Sequence, residues 1–111
     1  MALKSGKTRG MPRIKRSGAQ PPPEDSDKAV GKRLRYLRLA EGKTQEQLGK
    51  IIGVGIPMIS MCENGEARLS ADHMIMLLKE FDVPLEYLYL GWKRHLPPKL
   101  KEKIERIEFG T

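Results

Sequence analysis

Few residues of this chain carry side chains of the kind that perform catalysis or hold metals. The 111 residues include one cysteine, Cys62, and two histidines, His73 and His95, which lie far apart in the sequence. No cluster of Cys, His, Asp or Glu has metal-ligand spacing, and there is no glycine-rich phosphate loop or nucleophile motif. The sequence therefore indicates a protein that is not an enzyme and uses no metal or cofactor.

Lysine and arginine are the side chains whose chemistry stands out. Residues 1–28 carry seven of them against three acids, residues 29–91 carry eight against eight, and residues 92–111 carry six against three. The formal net charge of +7 therefore lies in the two ends of the chain. Basic tails favour a polyanionic partner, because each cation near a phosphate releases a counterion. The alternative is that the tails only keep the protein soluble.

The first 28 residues predict a disordered basic arm and linker. They have few apolar side chains and no periodicity, so they cannot bury enough surface to offset the entropy of ordering. Pro21 to Pro23 would form a short stiff spacer. The cations of this arm that are expected to contact phosphates are Lys4, Lys7, Arg9, Arg13, Lys15 and Arg16.

The organised part of the chain begins near Ala29 and has the periodicity of helices. Apolar residues at three- and four-residue spacing predict five short helices within residues 29–91. Thr44 and Gln47 form a capping-box pattern, and Ser70 predicts a further helix start. Residues 92–111 are expected to form a basic extension with a short amphipathic helix. The apolar stripe of that helix should pack on its own domain or on a second subunit.

The segment from Thr44 to Gly65, TQEQLGKIIGVGIPMISMCENG, predicts two short helices joined by a tight turn. Gly49 is expected where the two helices come closest, because a glycine in a helix costs about 1 kcal/mol against alanine and needs a reason to be there. A turn of this kind lets the second helix protrude. This favours a DNA-binding hairpin over an ordinary pair of packed helices.

Three stretches in order, GKRLRYLRLAEGKTQEQLGKIIGV, ISMCENGEARLS and LLKEFDVPLEYLYLG, resemble the Cro and phage-repressor (Xre-like) family of helix-turn-helix proteins. The resemblance covers residues 30–90. It implies a compact all-α domain of five helices that binds double-stranded DNA through the major groove. It also implies a transcriptional regulator of the repressor kind, which is usually a homodimer.

The resemblance further implies roles for individual residues. Gln45 matches a position that contacts a phosphate or a flanking base. Asn64 and Arg68 match positions after the recognition helix that contact the DNA backbone. Arg38 and Glu63 match an ion pair between the first and third helices. The positions that should face base edges are Gly55, Ile56, Pro57, Ser60 and Met61.

The predicted recognition helix departs from the family pattern. Of its base-facing side chains only Ser60 can hydrogen-bond a base, whereas Ile56, Pro57 and Met61 offer apolar contact, for example to thymine methyl groups. Glu66 stands where relatives often carry Lys or Arg and would repel a phosphate. Two interpretations stay open. Either affinity comes mostly from the basic tails, backbone contacts and DNA shape, or the apolar face binds a protein, as in an antitoxin or anti-regulator.

The sequence also bears on where the protein acts. It lacks the run of about 18 apolar residues that a membrane span needs. The basic N-terminus is not followed by the apolar stretch of a signal peptide, and one cysteine cannot form an internal disulfide. We therefore expect a cytoplasmic protein, with double-stranded DNA as its partner and a protein partner as the alternative.

Overall fold

The computed structural model describes residues 24–110, and within that range all regular structure is helical. The predicted all-α fold with a helix-turn-helix is confirmed. The basic residues Lys4, Lys7, Arg9, Arg13, Lys15 and Arg16 lie outside the described residues. The six helices are α1 (Asp27–Ala40), α2 (Gln45–Ile52), α3 (Ile56–Glu63), α4 (Ala71–Phe81), α5 (Leu85–Leu90) and α6 (Pro98–Phe109).

Side-chain caps fix where several helices begin. The Oγ of Ser26 accepts a hydrogen bond from the backbone N–H of Ala29 at 3.1 Å, and α1 therefore starts two residues before the expected Ala29. The capping box predicted at the start of α2 is confirmed. The Oγ1 of Thr44 accepts from the N–H of Gln47 at 3.0 Å, and the N–H of Thr44 donates to the Oε1 of Gln47 at 2.9 Å. Ser70 caps α4 as predicted.

Changing Thr44 to alanine should lower the free energy of unfolding by about 1 kcal/mol, because two N–H groups at the start of α2 lose reciprocal partners. Thr44→Ser is the matched control, since it keeps the hydroxyl, and it should stay within about 0.5 kcal/mol of the parent. Urea denaturation followed by circular dichroism measures both. Equal stability of the alanine variant and the parent would mean that the cap adds nothing measurable.

Two glycines allow close backbone approaches within the domain. A Cβ on Gly31 of α1 would stand 2.2 Å from the carbonyl oxygen of Cys62, so α1 and the end of α3 touch through their main chains. A Cβ on Gly49 would stand 2.4 Å from the carbonyl oxygen of Val54. The sequence predicts a close approach of the two helices at Gly49, and the neighbour that leaves no room for a side chain there is the turn between α2 and α3. Both approaches fix the orientation of α3.

The C-terminal helix belongs to the same hydrophobic core as the first helix. The side chains of Leu96, Leu100 and Ile104 are buried in that core, and α6 packs along α1. The Nζ of Lys93 reaches carboxylates of α6, 3.2 Å from Glu105 and 2.7 Å from Glu108. The sequence predicts that the apolar stripe of this helix packs on its own domain or on a second subunit. In the structure its own domain covers the stripe.

Candidate nucleic-acid interface

The helix α3 is held from two sides so that one of its faces remains uncovered. Ile59 and Cys62 are buried in the core, and the α1 backbone at Gly31 lies against the carbonyls of Cys62 and Glu63. The helix α2 packs along its other flank. The turn between α2 and α3 is closed by Gly53, which has a φ of +81° and donates its N–H to the carbonyl of Gly49 at 2.7 Å. The arrangement projects the remaining face of α3 outward.

The outward face of α3 is apolar and carries no charge. Ile56, Pro57 and Met61, all predicted to face base edges, are exposed, and Ser60 is half-buried beside them. Met58 is also exposed on this helix and was missing from the prediction. The only charged residue of α3, Glu63, is buried. A partner that meets this face therefore meets methyl, thioether and hydroxyl groups.

The start of α3 is open. Gly55 is the N-cap residue, and it has no side chain to cap the first N–H groups of the helix. Pro57 lies in the first turn, where its missing N–H costs little. Gly55 itself is exposed. The backbone or a base edge of a nucleic acid can therefore approach the start of α3 closely.

The predicted ion-pair residues Arg38 and Glu63 meet in the interior, with the Nε of Arg38 2.6 Å from the Oε2 of Glu63. A second nitrogen of Arg38 donates to the other carboxylate oxygen at 3.1 Å, and a third donates to the carbonyl of Lys43 at 2.9 Å. The amide of Gln45 donates to the same carboxylate at 3.1 Å. Gln45 was expected to contact a phosphate or a base, and here it bridges α2 to α3.

The two residues predicted to contact the DNA backbone after α3 differ in what they do. Asn64 caps the end of α3 and is exposed. Arg68 donates its Nε to Asp27 at 2.6 Å and also hydrogen-bonds the backbone carbonyl of Asp25. Its guanidinium thus ties the loop after α3 to the chain that enters α1. Among the predicted site residues, Gln45 is joined to α3 through Glu63, whereas Arg68 faces the start of α1.

Lys43, just before α2, is a cation that the sequence analysis did not single out. It is half-buried and forms no ion pair among residues 24–110. Its place next to Thr44 and Gln45 puts an unpaired ammonium at the start of α2. The sequence signal that could have identified Lys43 is its position two residues before Gln45.

Within the described part of the chain, nothing resembles a metal centre or a reactive thiol. No group of three or more potential metal ligands occurs among these residues. Burial, and secondarily the carboxylate of Glu63, raises the pKa of the Cys62 thiol above its usual value, and the thiol contacts the sulfur of Met58 at 3.7 Å. None of the described helices combines the length and apolar character needed to cross a bilayer.

The comparisons with known proteins match this geometry. A family model for helix-turn-helix proteins matches residues 34–88. The chain is 26% identical over 73 residues to an HTH-type transcriptional regulator of Rickettsia conorii, a match that covers 66% of this chain and 58% of that protein. The chain therefore spans less than two thirds of the length of this relative. The family match thus confirms the predicted similarity to helix-turn-helix proteins.

Solved structures agree on the fold. The restriction-modification controller protein C.AhdI from Aeromonas hydrophila has a TM-score of 0.52 and is 28% identical, covering 57% of this chain and 96% of its own. The clp gene regulator ClgR from Corynebacterium glutamicum has a TM-score of 0.53 at 17% identity, covering 81% of this chain and 86% of its own. At that identity the likeness to ClgR shows the fold alone.

Proposed function

We propose that this chain is a DNA-binding transcriptional regulator that inserts α3 into the major groove. The observation that carries the proposal is the outward face of α3, uncharged and fixed between α1 and α2 in a helix-turn-helix. A helix bearing acidic side chains there would be repelled by phosphates, and α3 bears none on that face. The relatives named as transcriptional regulators and controller proteins support the same function.

The proposed reading of DNA combines weak base contacts with stronger backbone contacts. Ile56 and Met61 meet thymine methyl groups, and Ser60 hydrogen-bonds a base edge. The open start of α3 at Gly55 lets the helix approach closely. The Lys43 ammonium, Asn64 and the basic arm of residues 1–20 supply phosphate contacts, which position the protein without reading sequence. Sequence specificity then depends partly on how easily the DNA at the binding site deforms.

We further propose that the protein acts as a homodimer and a repressor in the cytoplasm. A two-fold dimer places two copies of α3 in successive major grooves, about 10 base pairs apart. A dimer bound over a promoter hinders polymerase by occupying the site. Similarity to helix-turn-helix proteins supports this assembly.

The test of the proposed function is selection of binding sites from a pool of random DNA duplexes, followed by sequencing and gel shift. Enrichment of a shared sequence is the expected result, and two inverted half-sites about 10 base pairs apart would reveal the dimer. A parallel selection with protein in which Ile56 and Met61 are both changed to aspartate serves as control. No enrichment by the parent protein at low salt would refute DNA reading by α3.

Removing residues 1–20 should weaken DNA binding and flatten its dependence on salt. The segment holds six cations and no acid. Each phosphate contact contributes about 0.9 to the slope of log affinity against log salt, so the slope should fall by up to about five. Changing the six cations to glutamine keeps the length and should have the same effect. If affinity and slope are unchanged in both variants, the arm only aids solubility.

A second candidate function rests on the same exposed apolar side chains. Ile56, Met58 and Met61 form a patch on one short helix, and such patches also serve as protein docking sites. The protein would then be an antitoxin or anti-regulator that keeps the helix-turn-helix fold. The Met61 variants argued in the Discussion separate this function from DNA binding.

A further inference from the structure

A cavity of about 680 Å³ lies away from α2 and α3. The first half of α1, the end of α5 and the last turn of α6 surround it. Its volume falls in the range of about 300–1,000 Å³ that is typical of small-molecule sites. None of its lining residues belongs to the proposed DNA-binding face.

Tyr87, one of the residues that line this cavity, has a buried hydroxyl without a hydrogen-bond partner among the described residues. Tyr87 is 1% exposed, and its hydroxyl oxygen makes no hydrogen bond among the described residues. Charged and phenolic groups that act electrostatically on this hydroxyl, Glu108, Arg33 and Tyr36, line the cavity as well. Burial, and then the Glu108 carboxylate, raises the pKa of Tyr87, so the hydroxyl keeps its proton and can donate. Buried hydroxyls normally have a partner, and a bound molecule could supply one.

Two lysines without ion pairs stand at the same cavity. Lys28 and Lys32 lie one turn apart on α1, are exposed, and form no ion pair or hydrogen bond among residues 24–110. By contrast, the lining cation Lys93 is held by Glu105 and Glu108. Four cations and two carboxylates line the cavity, so positive charge is in excess there.

The buried guanidinium of Arg33 belongs to a residue that lines the cavity, and hydrogen bonds hold it in place. Its Nε donates to the carbonyl of Leu88 at 3.0 Å and one terminal nitrogen to the carbonyl of Tyr89 at 3.2 Å, and it also hydrogen-bonds the carbonyl of Glu24. These bonds join α1 to the last turn of α5 and to the chain that precedes α1. Carbonyls at a helix end lack partners within the helix, which explains why a cation is placed there.

We propose that this cavity binds a small organic anion, a carboxylate or a phosphate ester with an apolar body. Its anionic group lies between the ammonium groups of Lys28 and Lys32. An acceptor atom at its other end receives the hydrogen bond of the Tyr87 hydroxyl, and its body packs on Tyr36 and Leu90. The site is separate from the proposed DNA-binding function and is tested without DNA.

The test measures binding of defined probes to the full chain through the fluorescence of Trp92, the single tryptophan, which lies between the lining residues Gly91 and Lys93. The probes are 4-hydroxybenzoate for the carboxylate class and 4-hydroxyphenyl phosphate for the phosphate class. The neutral amide 4-hydroxybenzamide is the matched control compound. Saturable binding of at least one anion and none of the amide is expected.

Two variants and one control variant assign that binding to the cavity. Tyr87→Phe removes a hydroxyl that has no partner in the protein, so the chain should stay folded and lose affinity by about tenfold. Lys32→Gln should cause a similar loss. Arg35→Gln removes another exposed cation of α1 that does not line the cavity and should change affinity by less than about twofold. Melting curves verify that all three are folded.

Several results would overturn the proposal. These are absence of saturable binding by both anions, equal losses in Lys32→Gln and Arg35→Gln, or unchanged affinity in Tyr87→Phe. A short DNA duplex that displaces the probe, and whose own binding falls in Lys32→Gln, would instead assign the lysines to the DNA-binding surface. That result would also contradict a small-molecule site, while leaving the proposed DNA-binding function intact.

Discussion

Replacing Glu63 with alanine should lower the free energy of unfolding by about 3–5 kcal/mol, which for a domain of this size removes much of its stability. Arg38 and Glu63 are 8% and 7% exposed, and their closest atoms are 2.6 Å apart. Without the carboxylate, the guanidinium stays buried and its charge is uncompensated. The loss is larger than that of a surface ion pair, because surrounding water cannot replace the missing partner.

The effect should extend to the orientation of α3. The Glu63 carboxylate accepts hydrogen bonds from both Arg38 and Gln45, while Arg38 also donates to the carbonyl of Lys43. One buried group thus joins α1, the loop after it, α2 and α3. The alanine variant should therefore lose DNA affinity under conditions in which it is still folded.

Urea denaturation measures the stability change. Two further variants show whether the change comes from the unpaired buried charge. Glu66→Ala removes an exposed carboxylate three residues away and should change stability by less than about 0.5 kcal/mol. Arg38→Met combined with Glu63→Leu removes both charges and should recover much of the loss, because no unpaired charge is then buried. A melting temperature for Glu63→Ala within a degree or so of the parent would mean that water reaches the pair.

Much of the fold could be predicted because its signals are local. The capping box at Thr44 and Gln47 involves residues three positions apart, and the apolar spacing of each helix repeats within a few turns. The roles of Gly31 and Arg33 could not be predicted in this way. Gly31 is required by the carbonyl of Cys62 on another helix, and Arg33 reaches carbonyls of α5. In the sequence Arg33 is one of several cations of α1, and nothing marks it as buried.

The exposure of the candidate site can be deduced from local helix geometry, whereas its contacts with residues far away in the sequence cannot. The exposed side of α3 follows from which of its residues enter the core, and Ile56 and Met61, whose positions the family resemblance implies, lie on that exposed side. Arg68 is predicted to contact the DNA backbone, and the structure adds a hydrogen bond from its guanidinium to Asp27, 41 residues earlier. A partner that far away in sequence cannot be deduced from spacing. The packing of α6 on α1 was left open for the same reason.

Changing Met61 to glutamate should abolish specific DNA binding, with a loss of affinity of about 100-fold or more. Met61 is 41% exposed on the outward face of α3, where a carboxylate would face phosphates and base acceptors. Met61→Gln is nearly the same size and should preserve binding or shift base preference, because glutamine can pair with an adenine edge. Gel shift on a selected duplex measures both.

Met76→Glu is the matched control for this change. Met76 lies on α4, away from α3, and is 40% exposed. The substitution therefore replaces the same residue type by the same charged residue at a position of similar exposure. It should leave DNA affinity within about threefold of the parent, since a single exposed charge away from the contact acts weakly through salt solution. A comparable loss in both glutamate variants would mean that added charge, and not the position on α3, is responsible.

The same variants separate the two candidate functions. If the outward face of α3 docks a protein, both Met61→Glu and Met61→Gln should weaken that complex, because each puts a polar group into an apolar contact. If the face reads DNA, only the glutamate should be severely affected, because glutamine can donate and accept hydrogen bonds at base edges. Gel shift is therefore paired with pull-down of co-purifying protein for the parent and both variants. We expect the glutamate variant to lose the duplex. Retention of the duplex together with loss of a protein partner in both variants would make the docking function the correct one.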